Sequence, residues 1–186
     1  MPILLLFNIA TGILVISKNK KFKWVLVVFF SIVLFVFVNR IIIGRVNKAI
    51  EFLRIFIYFV FYAIVTLEII KQIWMAKVVN RNVIVGLMSG YISLGLLAFF
   101  MFLAIEKANP GSFEGLNVSH VGYVELVDTL LYYSYITLLT IGYGEIIPIT
   151  SVAQKAAILT GLIGQFYLVI ITAIIVGKYI RQSAKI

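Results

Sequence analysis

Five long apolar segments limit what this chain can fold into. They lie at about residues 3–17, 24–43, 52–76, 83–105 and 156–177. The chain of 186 residues is 63% hydrophobic and only 12% charged, and a helix needs about 20 apolar residues to cross a bilayer. The last four segments are long enough, whereas the first is short and either spans a thinned bilayer or lies at its interface. The sequence therefore predicts an all-α membrane protein.

Reactive side chains are few in this sequence. It contains seven acidic residues, one histidine and no cysteine, which excludes disulfides and thiolate metal sites. A membrane-embedded enzyme would need His, Asp, Glu or Cys side chains clustered at membrane depth, and the single His and the loop position of most acids speak against one. We therefore predict that the protein is not an enzyme and has no cofactor. His120 is expected to be a solvated loop residue, and gating by external pH is the alternative for it.

The excess of basic residues gives a formal net charge of +9. They cluster between and beside the apolar segments, as in Lys18, Lys20, Lys21, Lys23, Lys178, Arg181 and Lys185. Such clusters are typical of positions beside the anionic cytoplasmic leaflet, and no stripe of alternating basic and aromatic residues indicates nucleic acid. The lipid bilayer is therefore the expected partner, and nucleic acid is not.

Charge asymmetry predicts the orientation of the chain. Five of the seven acids lie within residues 106–155, namely Glu106, Glu114, Glu125, Asp128 and Glu145. Of the 16 basic residues, only Lys107 and Lys155 lie there. The positive-inside rule then places residues 106–155 outside and the C-terminus in the cytoplasm of a multi-pass protein of the cell membrane.

One group of basic residues fits this orientation poorly, because their loop would lie outside. It consists of Arg40, Arg45, Lys48 and Arg54. The last three are spaced by multiples of three, as in a voltage-sensing helix, but Glu51 interrupts the series. Basic residues that flank a span are the preferred interpretation, and voltage sensing is the alternative.

A sixth apolar stretch, residues 126–139, is too short to cross a membrane. It carries several hydroxyl groups and is followed by a Gly-x-Gly turn and Pro148. This pattern predicts a re-entrant helix, because non-helical backbone at membrane depth must be shielded by protein or line a watery path. Asp128 is expected near the start of that helix, where a carboxylate meets free N–H groups and the positive end of the helix dipole. The negative C-terminal end would then favour a cation near the membrane centre.

Residues 140–144 have the sequence Thr-Ile-Gly-Tyr-Gly. Such a segment is suited to line a path for dehydrated cations. Backbone carbonyl groups can replace the water around such an ion without binding it too tightly. Successive inward carbonyls need dihedrals that alternate in hand, which Gly142 and Gly144 allow. The carbonyls of Thr140, Ile141, Gly142 and Tyr143 and the Thr140 hydroxyl are the predicted ligands. One chain supplies one side of such a path, so a ring of subunits is required.

Residues 137–148, Thr-Leu-Leu-Thr-Ile-Gly-Tyr-Gly-Glu-Ile-Ile-Pro, resemble the pore motif of potassium channels. Residues 131–134 are similar to the pore helix of that family, residues 161–168 to the inner helix of small bacterial members, and residues 110–113 to their outer loop. The resemblance extends over about residues 83–180. It implies a homotetrameric channel that conducts K+ passively, with K+ bound at residues 140–143.

The sequence departs from the family pattern near the filter. The family often has Thr at the position of Leu139 and usually has Asp at the position of Glu145, and some members carry an acid at the position of Ile136. Tyr133 is therefore expected as the partner of Glu145. A weakly selective cation channel is the alternative function. An ion-coupled transporter is a further one, but it should show paired half-helices in two repeats.

Two regions are predicted: residues 1–80, with membrane helices of uncertain role, and residues 81–186, the pore domain. The pore domain is expected to hold an outer helix at about 83–105, a pore helix at about 126–139, a filter at 140–144 and an inner helix at about 156–180. Thr137 and Tyr133 are expected to support the filter, with Asp128 and Glu145 at its outer mouth. On the inner helix, Gly161 and Gly164 serve either as a hinge or for close packing, and Gln165 and Thr172 either face a cavity or bond to helices. A separate regulatory subunit is left open.

Overall fold

The computed structural model of this protein describes residues 48–76, 78–116 and 123–183. The apolar segments 3–17 and 24–43, together with Arg45 and His120, lie outside the described residues. The described part is almost entirely helical, and three of its helices are long and apolar enough to cross a membrane: Ile50–Met75, Val83–Ala108 and Ser151–Ser183.

The described elements have the following order along the chain. They are α1 (Lys48–Met75), α2 (Arg81–Ala108), β1 (Phe113–Glu114), α3 (Tyr123–Leu138), β2 (Ile147–Pro148), α4 (Ser151–Phe166), a π-helical turn (Tyr167–Ile171) and α5 (Thr172–Ser183). The last three form one continuous helix, Ser151–Ser183, which we call the inner helix.

The chain divides into two compact units, Met1–Phe61 and Tyr62–Ile186. Of the first unit, the structure describes the first half of α1, where Arg54 lies 3.9 Å from Glu51, one turn earlier. The second unit contains all the other described elements. The functional division predicted at residue 80 stays a prediction.

Polar residues start the two later spans. The Asn80 side chain accepts a hydrogen bond from the Val83 N–H at 3.1 Å and caps α2. The Thr150 hydroxyl accepts from the Ala153 N–H at 3.3 Å and caps the inner helix. Such caps satisfy backbone donors that have no partner within the helix. The inner helix accordingly begins at Ser151, several residues before the apolar run that marks it in the sequence.

A short antiparallel ladder joins the two loops on either side of α3. Phe113 lies opposite Pro148 and Glu114 lies opposite Ile147. The Ile149 N–H extends this ladder by donating to the Ser112 carbonyl at 2.9 Å. The loop after α2 is thereby fixed beside the segment that leads into the inner helix.

The core beside α3 is aromatic. Phe102 of α2 packs against Tyr133 of α3 and Phe113 of β1, with ring centroids 5.0 and 5.5 Å away. All three side chains are buried, and truncating a buried Phe costs about 3–5 kcal/mol. Gly95 of α2 allows the ring of Tyr135 to approach the helix closely, since a β-carbon there would collide with it. These contacts fix α3 against α2.

Candidate functional site

The backbone changes hand at every second residue directly after α3. Thr140, Gly142 and Gly144 have φ angles of 56°, 58° and 93°, whereas Ile141 and Tyr143 between them are outside this left-handed region. Among the described residues, Thr140 is the one non-glycine with a positive φ. Alternation of this kind lets successive carbonyl groups turn to the same side of an extended chain, which is the geometry that a carbonyl-lined ion path requires.

Hydrogen bonds to the last turn of α3 hold the start of this segment. The Leu139 N–H donates to the Tyr135 carbonyl at 2.8 Å, the Thr140 N–H to Thr137 at 3.0 Å, and the Ile141 N–H to Ile136 at 2.9 Å. A β-branched residue at positive φ stores about 1–3 kcal/mol of strain. These bonds help to compensate for that strain at Thr140.

The glycines of the segment are needed for their dihedral angles. Apart from its chain neighbours, a β-carbon at Gly142 or Gly144 would meet no atom of the described residues within 4 Å, but both glycines lie at positive φ. Side chains in that region clash with the backbone. The Ile141 and Tyr143 side chains are exposed, at 47% and 73%. The described part of this chain therefore leaves both side chains largely uncovered.

The inner helix passes very close to the end of α3. A β-carbon on Gly164 would collide with the Leu138 carbonyl oxygen, whereas one on Gly161 would lie 3.8 Å from the Thr137 carbonyl oxygen. Of the two alternatives for Gly164, close packing therefore has a direct structural reason. A hinge at Gly161 or Gly164 stays a prediction.

Gln165 touches the candidate filter itself. Its side-chain nitrogen Nε2 lies 2.9 Å from the Thr140 hydroxyl, and that hydroxyl also lies 2.7 Å from the Leu139 carbonyl oxygen. The second polar residue predicted on this helix, Thr172, is exposed at the start of α5 and donates its N–H to the Leu168 and Val169 carbonyls.

The hydroxyl groups of three tyrosines connect α2 to α3 and to the inner helix by hydrogen bonds. The sequence analysis did not predict these bonds. The Tyr91 hydroxyl donates to the Leu138 carbonyl at 3.2 Å. Tyr135 donates to the Ile92 carbonyl at 2.8 Å, and Tyr167, at the start of the π-helical turn, donates to Leu87 at 2.7 Å. Tyrosines inside apolar segments could have indicated such bonds, because a buried phenol usually finds a hydrogen-bond partner.

At the other end of the segment, Glu145 interacts with Tyr132 and not with Tyr133, the partner that the sequence predicts. Its hydrogen bond with the Tyr132 hydroxyl raises the pKa of that phenol to about 12. Tyr133 instead packs between Phe102 and Phe113. Neighbouring helical residues differ by about 100° in direction, so a shift of one position changes the partner completely.

The other predicted residues of this region take different places. Thr137 is half-buried one turn after Tyr133 on the same helix. Asp128 does not cap α3, because the helix already begins at Tyr123 and Glu125 is the acid of its first turn. Asp128 is exposed. The roles of Tyr133, Thr137, Glu145 and Asp128 in filter support or at the mouth stay predictions.

Glu106, at the end of α2, organises the loop of residues 109–115, which we call the outer loop after the predicted orientation. Its buried carboxylate accepts the backbone N–H groups of Gly111, Ser112 and Phe113 at 2.7, 2.9 and 3.3 Å. The same loop reaches the segment after the filter, where a β-carbon on Gly115 would collide with the Glu145 carbonyl oxygen. A carboxylate three residues before an Asn-Pro-Gly-Ser turn is the sequence pattern that could have revealed this arrangement.

The far end of the inner helix is fixed to α1. Lys178 donates to the Trp74 and Ala76 carbonyls at 2.6 and 2.8 Å, and the Gln182 side chain accepts from the Val79 N–H at 3.0 Å. A cation here satisfies carbonyl groups at a helix C-terminus and interacts favourably with the helix dipole. In residues 48–76, 78–116 and 123–183, no group of three or more His, Cys, Asp or Glu could hold a metal ion.

Comparison with known proteins identifies the part of the chain that contains these features. A family model described as "Ion channel" matches residues 116–181. No curated protein and no solved structure matches the chain significantly. The matched residues contain α3, the candidate filter, β2 and most of the inner helix. Together with the three apolar spans, the match confirms an all-α membrane channel fold and indicates a multi-pass ion channel.

Proposed function

We propose that four copies of this chain form a potassium-selective channel, in which K+ moves passively down its electrochemical gradient. The observation that supports this proposal most directly is the alternation of positive φ at Thr140, Gly142 and Gly144. The K+ ligands are the carbonyl oxygens of residues 140–143 and the Thr140 hydroxyl. Each carbonyl is a strong dipole without net charge, so the ion can enter and leave quickly, and several ions in file repel one another onward.

The direction of α3 favours a cation at the inner end of this path. The helix ends at Leu138, two residues before Thr140, and its C-terminal end carries a partial negative charge. At the other end of the path, the Glu145 carboxylate lies at the outer mouth. In four copies, these charges would raise the local concentration of cations at the outer mouth.

A ring of identical subunits would cover the apolar surface that one chain leaves exposed. Large side chains of the inner helix such as Ile158, Phe166 and Val169 are 63%, 59% and 65% exposed. Neighbouring copies and lipid tails are the proposed partners for this surface. We place the filter mouth outside the cell membrane and the C-terminus inside it, because Lys178 and Arg181 lie near the end of the inner helix.

A weakly selective cation channel is the second candidate. It is favoured by Leu139 and Glu145, the two positions next to the filter at which the sequence departs from the potassium-channel pattern. Leu139 is exposed on this chain, and Glu145 has a tyrosine as its partner. Both channels would use the same path and differ in how strictly it rejects Na+.

The test is the reversal potential of the purified protein in a planar bilayer, with KCl on one side and NaCl on the other. A K+-selective pore gives a large potential of the sign set by K+. Gly142→Ala should abolish selective current, because an L-residue at its φ of 58° costs about 1–2 kcal/mol in each subunit. Gly86→Ala is the matched control, since its β-carbon would make only an ordinary 3.7 Å contact with Ile73.

The outcomes separate the candidates. A potential near zero with robust current would favour the weakly selective channel. If no current is seen, native mass spectrometry and melting of the detergent-solubilised protein decide. A preformed tetrameric filter should melt at a higher temperature in K+ than in Na+, because a ligand that binds the native state stabilises it. A monomer without such a difference would contradict the proposal.

A further inference from the structure

Gln165 is a polar residue on an apolar helix, and its environment is unusual for such a residue. It is exposed, so it does not contribute to the core of this chain. Its side-chain nitrogen Nε2 donates to the Thr140 hydroxyl at 2.9 Å. The preceding residue, Gly164, makes this contact possible by bringing the inner helix against the Leu138 carbonyl oxygen.

The two contacts of the Thr140 hydroxyl determine its orientation. An amide N–H can only donate, and the Leu139 carbonyl oxygen, 2.7 Å away, can only accept. The hydroxyl therefore donates its single proton to Leu139 and accepts from Gln165. Since a hydroxyl oxygen has two lone pairs, one of them stays available.

We propose that Gln165 is a positioning residue for the innermost ion site of the filter. A cation binds a hydroxyl through a lone pair, so the proton must point elsewhere. With the proton held by Leu139 and one lone pair held by Gln165, the remaining lone pair has a fixed direction and serves the ion. Without the amide, the Leu139 carbonyl alone orients the hydroxyl. Neither lone pair is then engaged by a donor, so the direction of the one that serves the ion is less well fixed. This inference rests on the proposed function.

Ba2+ is the probe for the test. It is close to K+ in size but carries twice the charge, so it binds an oxygen cage of the same dimensions more tightly. Its affinity is measured in two ways: by block from the inner side of a planar bilayer, and by the Ba2+-dependent rise in the melting temperature of detergent-solubilised tetramers. The second measurement needs no open gate.

The decisive variant is Gln165→Leu, which keeps the side-chain size and removes the donor. Loss of a hydrogen bond worth roughly 0.5–1.5 kcal/mol should weaken Ba2+ binding by about two- to twelvefold. Gln72→Leu is the matched control, because Gln72 is exposed on α1 and carries the same substitution. It should leave the Ba2+ affinity unchanged.

A double-mutant cycle shows whether Gln165 acts through the hydroxyl. The Gln165→Leu effect should persist in a Thr140→Ser background, which keeps the hydroxyl, and should vanish in a Thr140→Val background. An unchanged Ba2+ affinity in Gln165→Leu would refute the inference alone. An equal loss in the Thr140→Val background would also refute it, since Gln165 would then act by another route. A wild-type protein that binds no Ba2+ and shows no K+ selectivity would refute the proposed function itself.

Discussion

Replacing Glu106 with alanine should loosen the outer loop and, through it, the segment that follows the candidate filter. The carboxylate is 3% exposed and accepts three backbone N–H groups. Gly111 is exposed, so its N–H can turn to water, but Ser112 and Phe113 are buried at 0% and 2%. A buried donor without a partner costs about 1–3 kcal/mol. Two such donors give a destabilisation of about 2–6 kcal/mol in each subunit.

The assay is thermal unfolding of the solubilised protein in K+, followed by circular dichroism. For a domain of this size, 1 kcal/mol corresponds to about 2–4 °C, so the apparent melting temperature should fall by about 5–20 °C. Glu106→Gln keeps one oxygen for Ser112 and Phe113 and loses only the bond to the exposed Gly111, so it should cost only about 1 kcal/mol. Glu114→Ala is the control, because Glu114 is exposed on the neighbouring β1.

The effect should also reach the current, because the loop continues into β1 and β1 pairs with β2 beyond the filter. On the proposed function, current through Glu106→Ala channels should decline faster during a sustained potential than current through the wild type. A melting temperature of Glu106→Ala within about 2 °C of the wild type, together with a current that declines no faster, would contradict this prediction. It would show that the three hydrogen bonds do not stabilise the loop.

Two further predictions concern the inner helix. Gly164→Ala places a methyl group against the Leu138 carbonyl oxygen and should destabilise the protein by about 1–3 kcal/mol, measured as a lower melting temperature in K+. Lys178→Met removes the ammonium group that binds the Trp74 and Ala76 carbonyls. Because Lys178 is only half-buried, the loss should be about 1 kcal/mol, and a rise in open probability in bilayers would show that this contact holds the inner helix in place.

Each of these variants has a control on the same helix. Gly161→Ala should be tolerated, because its methyl group would lie 3.8 Å from the nearest carbonyl oxygen. Equal melting temperatures for the alanine variants at 161 and 164 would contradict the close-packing argument. Lys155→Met changes an exposed lysine at the start of the inner helix and should leave open probability unchanged. If Lys155→Met acted as strongly as Lys178→Met, net charge and not the contact with α1 would be responsible.

The sequence alone predicts the spans and the course of the pore segment, because both depend on signals that are local in the chain. Apolar length marks α1, α2 and the inner helix, and the short apolar stretch before a Gly-x-Gly turn marks α3. The same local reasoning misplaces polar partners. Asp128 was expected near the helix start, but the helix extends back to Tyr123, since helix ends depend on backbone hydrogen bonds and not on apolar length.

Contacts between distant residues are what local patterns cannot supply. The choice of Tyr132 over Tyr133 as the partner of Glu145 depends on the rotation of α3, which the aromatic contacts of Tyr133 with Phe102 and Phe113 determine. The π-helical turn Tyr167–Ile171 likewise lacks any proline or glycine that would mark it. Its first residue is bound to Leu87, which is 80 positions away in the chain.

Contacts at both ends stabilise the strained segment of residues 140–144, and the contacts at one end differ in kind from those at the other. Three kinds of contact support its inner end around Thr140. They are the backbone hydrogen bonds to α3, the close approach of Gly164 to Leu138 and the hydrogen bond from the Gln165 amide. At its outer end, the support comes from a loop that is itself held by Glu106. On the proposed function, inner substitutions should therefore change ion affinity, because they move a ligand. Outer substitutions should instead change how long the current persists during a sustained potential, because they loosen the backbone that follows the filter.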